Sequence, residues 1–442
     1  MSFSWKLQQL QREEWFHGCL PFEDIVGLLK KDGDFLLREL EPEGDRSAMA
    51  CVTVRWGPAR DFPVHCMNVG NLRIYTINGE DKNTRIMDLV RFHHSTGTPV
   101  GEDVKLQHPI PKQPWELSSD KINLVEKIGA GAFGEVWKGT MSRSQGKPPT
   151  EVAIKVMKVN DENKDKMDEM YKEARLMRQA RPYVLVAFLN SRPFCPYSRG
   201  LYAYFLAVLA YFADYPFSIH CRLIGRCRRY GVELRLALEN IVTFYGIVQK
   251  SSDSVMIVME MVNGGGLDHH LRKNPNISVK EKISYAIDVA VGLVYLHSKG
   301  CMHRDIACRN CLIDVKKTLV KISDFGLSKQ AESYTIKSEE KLPIRWQAPE
   351  VITTRIYTRK CDVYSYGILL WEIFNNAEKP YAGINNRTIR ENITDPKFRP
   401  VVDVKWPIVV QRAMRACWRG DSKKRPEMQQ VARYLMFAPP EL

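Results

Sequence analysis

Three oxygen-bearing side chains lie close together in the segments CMHRDIACRNCLID (301–314) and KISDFGLSK (321–329): Asp305, Asn310 and Asp324. Asp305 is spaced to accept a hydrogen bond from a hydroxyl and orient it for in-line attack. Asn310 and Asp324 offer hard oxygen ligands that suit Mg2+ bridging phosphate groups. Together they point to phosphoryl transfer, which needs positioning and charge neutralisation more than covalent chemistry. Cys308 and Cys311 flank the loop at a zinc-like spacing, but no second ligand pair accompanies them, and no zinc is expected.

A phosphate cradle stands upstream. In IGAGAFGEVWKG, from Ile128, the glycines 129, 131 and 134 fall between two alternating apolar runs. Without Cβ atoms such a loop lets backbone N–H groups approach phosphate oxygens. By itself the pattern fits a plain hairpin turn equally well. A dinucleotide fold would need a helix after the glycines, and a strand follows here. Further on, EVAIKVMK presents Lys155 beside the small Ala153, and the helix-like MDEMYKEARLM supplies Glu173 as the acid that holds its ammonium.

In this order GAGAFGEV, VAIK, HRDIACRN, DFG and QAPE, over residues 122 to about 436, resemble the protein-kinase family. The resemblance implies a bilobal fold with a β-rich N-lobe and a helical C-lobe, using ATP and Mg2+. It groups Asp305, Arg309, Lys155 and Glu173 as catalytic, and Asn310 and Asp324 as metal-binding. For ATP it implies Ile128, Gly129, Ala130, Gly131, Ala132, Phe133, Gly134, Glu135, Val136, Ala153, Lys155 and Leu312, with Glu260 and Met261 at the hinge and Met259 as gatekeeper. Glu350 is expected to pair with Arg425, and Asp362 to brace the catalytic loop. Arg309, four residues after Asp305, and KLPIRW (341–346) resemble the tyrosine-specific branch, which implies protein tyrosine substrates. Tyr334, the only tyrosine between Asp324 and Glu350, is the expected activating phosphosite, with Arg304 receiving its phosphate.

The N-terminal segments WFHGCLPFEDIVGLL and GDFLLRE resemble the SH2 family, which implies that Arg38 binds phosphotyrosine at the floor of a pocket. Three positions depart from that family: Leu40 follows R-E, Phe22 stands where the first helix offers Arg, and Asp61 stands near the usual His. Each removes a donor or adds repulsion, so affinity for phosphotyrosine proteins is expected to be weak, with Arg46 or Arg60 compensating in part. The whole order resembles Fes/Fer non-receptor tyrosine kinases in a short form, without their N-terminal membrane-bending region.

These groups need elements to hold them. The chain is α+β: a tail (1–14), an SH2-like domain (15–105) with an antiparallel sheet and two helices, a linker (106–121) broken by three prolines, and a kinase domain (122–437). Trp115 is expected to dock the linker on a neighbour. The 442 residues, 44% hydrophobic and 26% charged, exclude a peptide or a disordered chain. Eleven scattered cysteines and no apolar leader suggest a reducing, cytoplasmic setting, reaching the plasma membrane's inner face only through partners. Neither a myristoylation signal nor a prenylation box is read. The net charge of +14 comes with no nucleic-acid motif, so no nucleic acid is expected.

Residues 180–238 have a foreign composition, with eight Arg, no Lys and three Cys, where the family needs a few residues between a helix and a strand. Their apolar run 201–213 is shorter than the roughly eighteen residues of a bilayer span. They read either as a regulatory insert or as translated non-coding sequence, and only as an insert do they favour the alternative of a catalytically impaired scaffold.

Overall fold

The computed structural model describes residues 10–40, 49–131, 134–142, 146, 148–158, 164–179, 239–251, 254–338 and 340–437. Ala132, Phe133, Arg46 and the segment 180–238 lie outside the described residues. The chain divides into two compact units, Met1–Ala174 with Phe244–Met261, and Arg175–Thr243 with Val262–Leu442.

The first unit contains two main sheets. In the N-terminal one, β1 (Asp34–Leu40) pairs antiparallel with β2 (Met49–Arg55), which pairs with β3 (Ala59–Pro63). The short β6 (His108–Pro109) closes the other edge in parallel. Helix α1 (Phe22–Leu28) precedes this sheet and α2 (Ile86–Thr96) follows it. Ile86, Met87, Leu89, Val90 and His93 turn one face of α2 into the core, and Gly97 ends the helix in the left-handed conformation.

FPVHCM reads as one strand in the sequence, but the structure splits it. Pro63 is the last residue of β3 in register with β2, Val64 N still donates to Ala50 O at 2.8 Å, and β4 (His65–Val69), exposed along its length, then leaves to pair with β5 (Leu72–Thr76).

The second sheet of this unit has the order β10-β11-β9-β8-β7. Its strands are β7 (Ile122–Gly131), β8 (Gly134–Met141), β9 (Thr150–Lys158), β10 (Phe244–Ser251) and β11 (Ser254–Glu260), joined by α3 (Lys164–Gln179). The proline-broken linker lies down on β10 as expected: Leu117 N donates to Ile247 O and Ile247 N to Trp115 O, both at 2.8 Å, with Trp115 buried. His17 is fully buried between Glu116 and the Ile110 carbonyl, each at 2.9 Å. Next to it, Gly18 lies so close to Gln249 that a Cβ would stand 2.0 Å from the amide oxygen, at a φ of +60°.

The second unit is mostly helical: α4 (Leu267–Lys273), α5 (Val279–Ser298), α6 (Pro349–Thr354), α7 (Arg359–Phe374), α8 (Asn386–Asn392), α9 (Ile408–Cys417) and α10 (Met428–Phe437). Ser278 and Glu281 start α5 with a capping box. Every residue of α7 from Cys361 onward is buried, so this helix is apolar nearly all round and runs through the core of the unit. Short ladders carry the functional loops: β12 (Cys301–Met302), β13 (Cys311–Asp314) with β14 (Leu319–Ile322), β15 (Lys329–Gln330), and β16 (Ser333–Thr335) with β17 (Ile356–Thr358). Among the described residues no helix is long and apolar enough to cross a membrane.

Candidate active site

In the first unit the glycine segment is a hairpin in which Gly129, Ala130 and Gly131 pair with Val136, Glu135 and Gly134. These glycines also answer a demand of the sheet. Gly134 has a φ of +126°, and a Cβ there would meet the Val156 carbonyl at 2.3 Å, so the sheet itself demands glycine. Lys155 lies on the central strand β9, opposite Val136 on one side and Ile257 on the other. Its ammonium donates to Glu173 Oε2 at 2.6 Å, and both residues are buried. Ala153 pairs with the half-buried Met259, and Glu260 and Met261 follow at the end of β11.

In the second unit the loop after β12 is braced by Asp362, which is fully buried. One of its oxygens accepts from the backbone N of His303 (2.9 Å) and from His297 Nε2 (3.0 Å). The other accepts from Arg304 N and from the Tyr357 hydroxyl, both at 2.9 Å. Burial alone would raise this carboxyl, but the donors, His297 first, hold it below the ordinary aspartate value.

Asn310 Nδ2 donates to the Asp305 carbonyl at 2.7 Å, and the Asn310 carbonyl accepts from both N and Oγ of Ser323 at 2.9 Å. His303 Nε2 is 3.0 Å from the Ser323 carbonyl, and its ring packs on the buried Phe325. One network thus fixes Asp305, Asn310 and the residue before Asp324. Arg304 and Asp324 both hold positive φ, 71° and 59°, a conformation that costs a non-glycine residue about 1–3 kcal/mol and must be imposed by these contacts. The amide nitrogen of Asn310 is turned to the Asp305 carbonyl, and an amide oxygen and the Asp324 carboxylate are hard donors of the kind that suit Mg2+. Leu312, half-buried, bridges to Gly266.

Arg309 Nη2 donates to Asp305 Oδ1 while its guanidinium lies 4.1 Å from the Trp346 ring. Glu350 and Arg425 form the expected pair, bidentate at 2.6 and 2.7 Å. Cys308 and Cys311 are buried thiols, and burial pushes both far up from the ordinary cysteine value; Cys66 on β4 is exposed.

Tyr334 is half-buried. Its hydroxyl donates to Glu340 Oε1, and Arg304 both lies over its ring (4.4 Å) and donates to Glu340 Oε2 at 2.7 Å. Burial, and then the bond to Glu340, raise the phenol above its usual value. Sequence reasoning missed Glu340, which pairs with Arg304, the residue expected to receive a phosphate on Tyr334. It missed Glu372 too, although an acid inside the apolar run YSYGILLWEIF was a readable signal.

In the N-terminal module Arg38 is enclosed. Its Nε donates to Thr53 Oγ1 (2.9 Å), its Nη2 to Asp61 Oδ2 (2.6 Å), and Thr53 donates to Asp61 Oδ1 (2.6 Å). The Phe22 ring lies 5.6 Å from the guanidinium carbon. Arg60, expected to compensate, instead pairs with Glu102 at 3.5 Å on an exposed surface.

The family model for protein tyrosine and serine/threonine kinases matches residues 122–192 and 232–435, passing over 193–231. The chain belongs to the protein-kinase family. Within it, the relatives are of the Fes/Fer kind: Fer-related kinase 1 of Caenorhabditis elegans is 30% identical over 430 residues, covering 96% of this chain and 94% of that protein. Human tyrosine-protein kinase Fer is 29% identical over 432 residues, 96% of this chain but 44% of Fer. The transforming protein Fps of avian sarcoma virus (strain PRCII) is 31% identical over 426 residues, 94% and 66% of the two chains.

Proposed function

We propose that this chain is a non-receptor protein tyrosine kinase that moves the γ-phosphate of ATP to tyrosine hydroxyls of proteins. The observation that carries the reading is the set Asp305, Arg309 and Asn310 tied together in one loop, with the Lys155–Glu173 pair formed at 2.6 Å. Lys155 draws the α- and β-phosphates while Glu173 holds its ammonium, and the hairpin from Ile128 to Val136 covers them. Asp305 accepts the hydrogen bond of the incoming phenol and orients its oxygen for in-line attack, and Arg309 fixes the rotation of that carboxylate. Mg2+ held by Asn310 and Asp324 would neutralise charge on the phosphates. The acceptor phenol gives up its proton as the new P–O bond forms, and ADP leaves.

The N-terminal module is read as an SH2 domain with weak phosphotyrosine affinity, Tyr334 as the activating site, and the setting as cytoplasmic. A transfer assay with radiolabelled ATP and a tyrosine-containing polymer, on the full chain, its Asp305→Asn variant and a deletion of 180–238, tests the proposal. Incorporation by the full chain that vanishes with Asp305→Asn is expected. Equal labelling by wild type and Asp305→Asn, or labelling by neither the full chain nor the deletion, would sink it.

A further inference from the structure

Arg309 owes its place to two residues outside the loop. Trp346 presents its indole face to the guanidinium at 4.1 Å, and the indole Nε1 donates to Glu372 Oε2 at 2.9 Å. The same oxygen accepts from the backbone N of Cys308 at 3.0 Å, so Glu372, buried on α7, grips both the ring and the loop that carries Arg309. Arg309 Nη1 is buried with no hydrogen-bond partner among the described residues, and the ring face beneath the guanidinium compensates by the attraction of a cation for a π system. An indole that donates to a carboxyl oxygen is polarised, its face becomes richer in electrons, and its hold on a cation strengthens. The contacts run unbroken from Glu372 through Trp346 and Arg309 to Asp305.

We propose that Trp346 and Glu372 are positioning residues for the transfer: they set the Arg309 guanidinium, and through it the direction in which the Asp305 carboxylate meets the acceptor hydroxyl. This rests on the tyrosine-kinase reading above. A purely structural role would change stability while leaving the relation between kcat and the two KM values alone. The positioning role separates them, because ATP is held by other residues.

Trp346→Leu, Trp346→Phe, Glu372→Ala and Glu372→Gln are to be made in the full chain and assayed with acceptor peptide and ATP varied separately. Leu and Ala are expected to lower kcat about tenfold, a rise of about 1.4 kcal/mol in barrier, with the KM for ATP within about twofold of wild type. Phe, which keeps a π face, and Gln, which keeps the acceptor oxygen, should recover most of that loss. Unchanged kcat in folded Leu or Ala variants, or equal damage to kcat and the KM for ATP, overturns the proposal. A second readout needs no activity. In a 15N–1H spectrum the indole signal that disappears in Trp346→Phe should shift in Arg309→Lys and in Glu372→Gln. If it does not move, the chain of contacts is wrong, whereas a wild type that labels no tyrosine while the signal does move sinks the kinase reading alone.

Discussion

The first unit buries two cations against acids at the same 2.6 Å, with opposite meanings for a phosphate ligand. Glu173 reaches Lys155 from a helix, so the pair depends on where that helix lies, and it holds the ammonium at a strand beside the glycine hairpin. Asp61 reaches Arg38 within a single sheet: β1, β2 and β3 place Arg38, Thr53 and Asp61 on one face, and Thr53 closes the ring between the other two. On the SH2 reading proposed above, that acid stands where an incoming phosphate would have to go. An acid that shares a cation with a ligand prepares a site, while one that takes the ligand's position fills it.

Breaking the first pair should have the largest effect. Lys155→Met is expected to cut phosphate transfer by about a hundredfold or more, and Glu173→Gln by about tenfold, in the radiolabel assay. Near-normal turnover in Lys155→Met would remove the contrast altogether.

Next comes Asp61→Asn, which should raise affinity for a phosphotyrosine peptide about tenfold by calorimetric titration, a gain near 1.4 kcal/mol from one repelling charge. Arg38→Ala in the otherwise native chain should change that affinity less than about twofold. If Asp61→Asn gains nothing, or the native chain binds as tightly as a fully equipped SH2 domain, the pocket is not filled as described.

Tyr334→Phe should lower steady-state transfer a few fold. The Glu340 carboxylate already occupies Arg304, so the loss should be smaller than for either Lys155 or Glu173. A drop as deep as that of Lys155→Met would show that Glu340 does not share the arginine's role.

The smallest effect is thermodynamic and concerns an acid given mainly neutral donors. Burial pushes the Glu372 carboxyl from 4.5 up to about 7, opposed by the bonds from Trp346 and Cys308 and by the Arg309 charge, and reinforced by Asp268. The folded state therefore holds a proton that the unfolded chain releases above its own pKa. That contribution is complete below about pH 4.5 and fades as pH rises through 7. Glu372→Gln should accordingly gain stability relative to wild type across this range, by about 1–3 kcal/mol at pH 8, in denaturant titrations at several pH values. A pH-independent difference would mean that the carboxyl ionises as it would in water.

The kinase portion of the fold was legible because its pattern sits in short local motifs. HRDIACRN places Asp305, Arg309 and Asn310 within six residues, and the strand after the glycines speaks against a dinucleotide fold. The pairs Lys155–Glu173 and Glu350–Arg425 follow from family order. What stayed hidden depends on geometry between distant segments. Asp61 was readable as a misfit beside Arg38, but not that Thr53 would complete a closed ring, since this requires the register of three strands. Glu340 and Glu372 look like ordinary acids until folding places one against Arg304 and the other under Trp346.

The unequal exposure of the thiols offers a practical handle. Of the described cysteines, those beside Asp305 are sealed and reluctant to ionise, whereas Cys66 faces solvent on a peripheral hairpin. Among these described thiols a maleimide dye should therefore tag Cys66 first and spare Cys308 and Cys311, placing a fluorescent reporter on the N-terminal module.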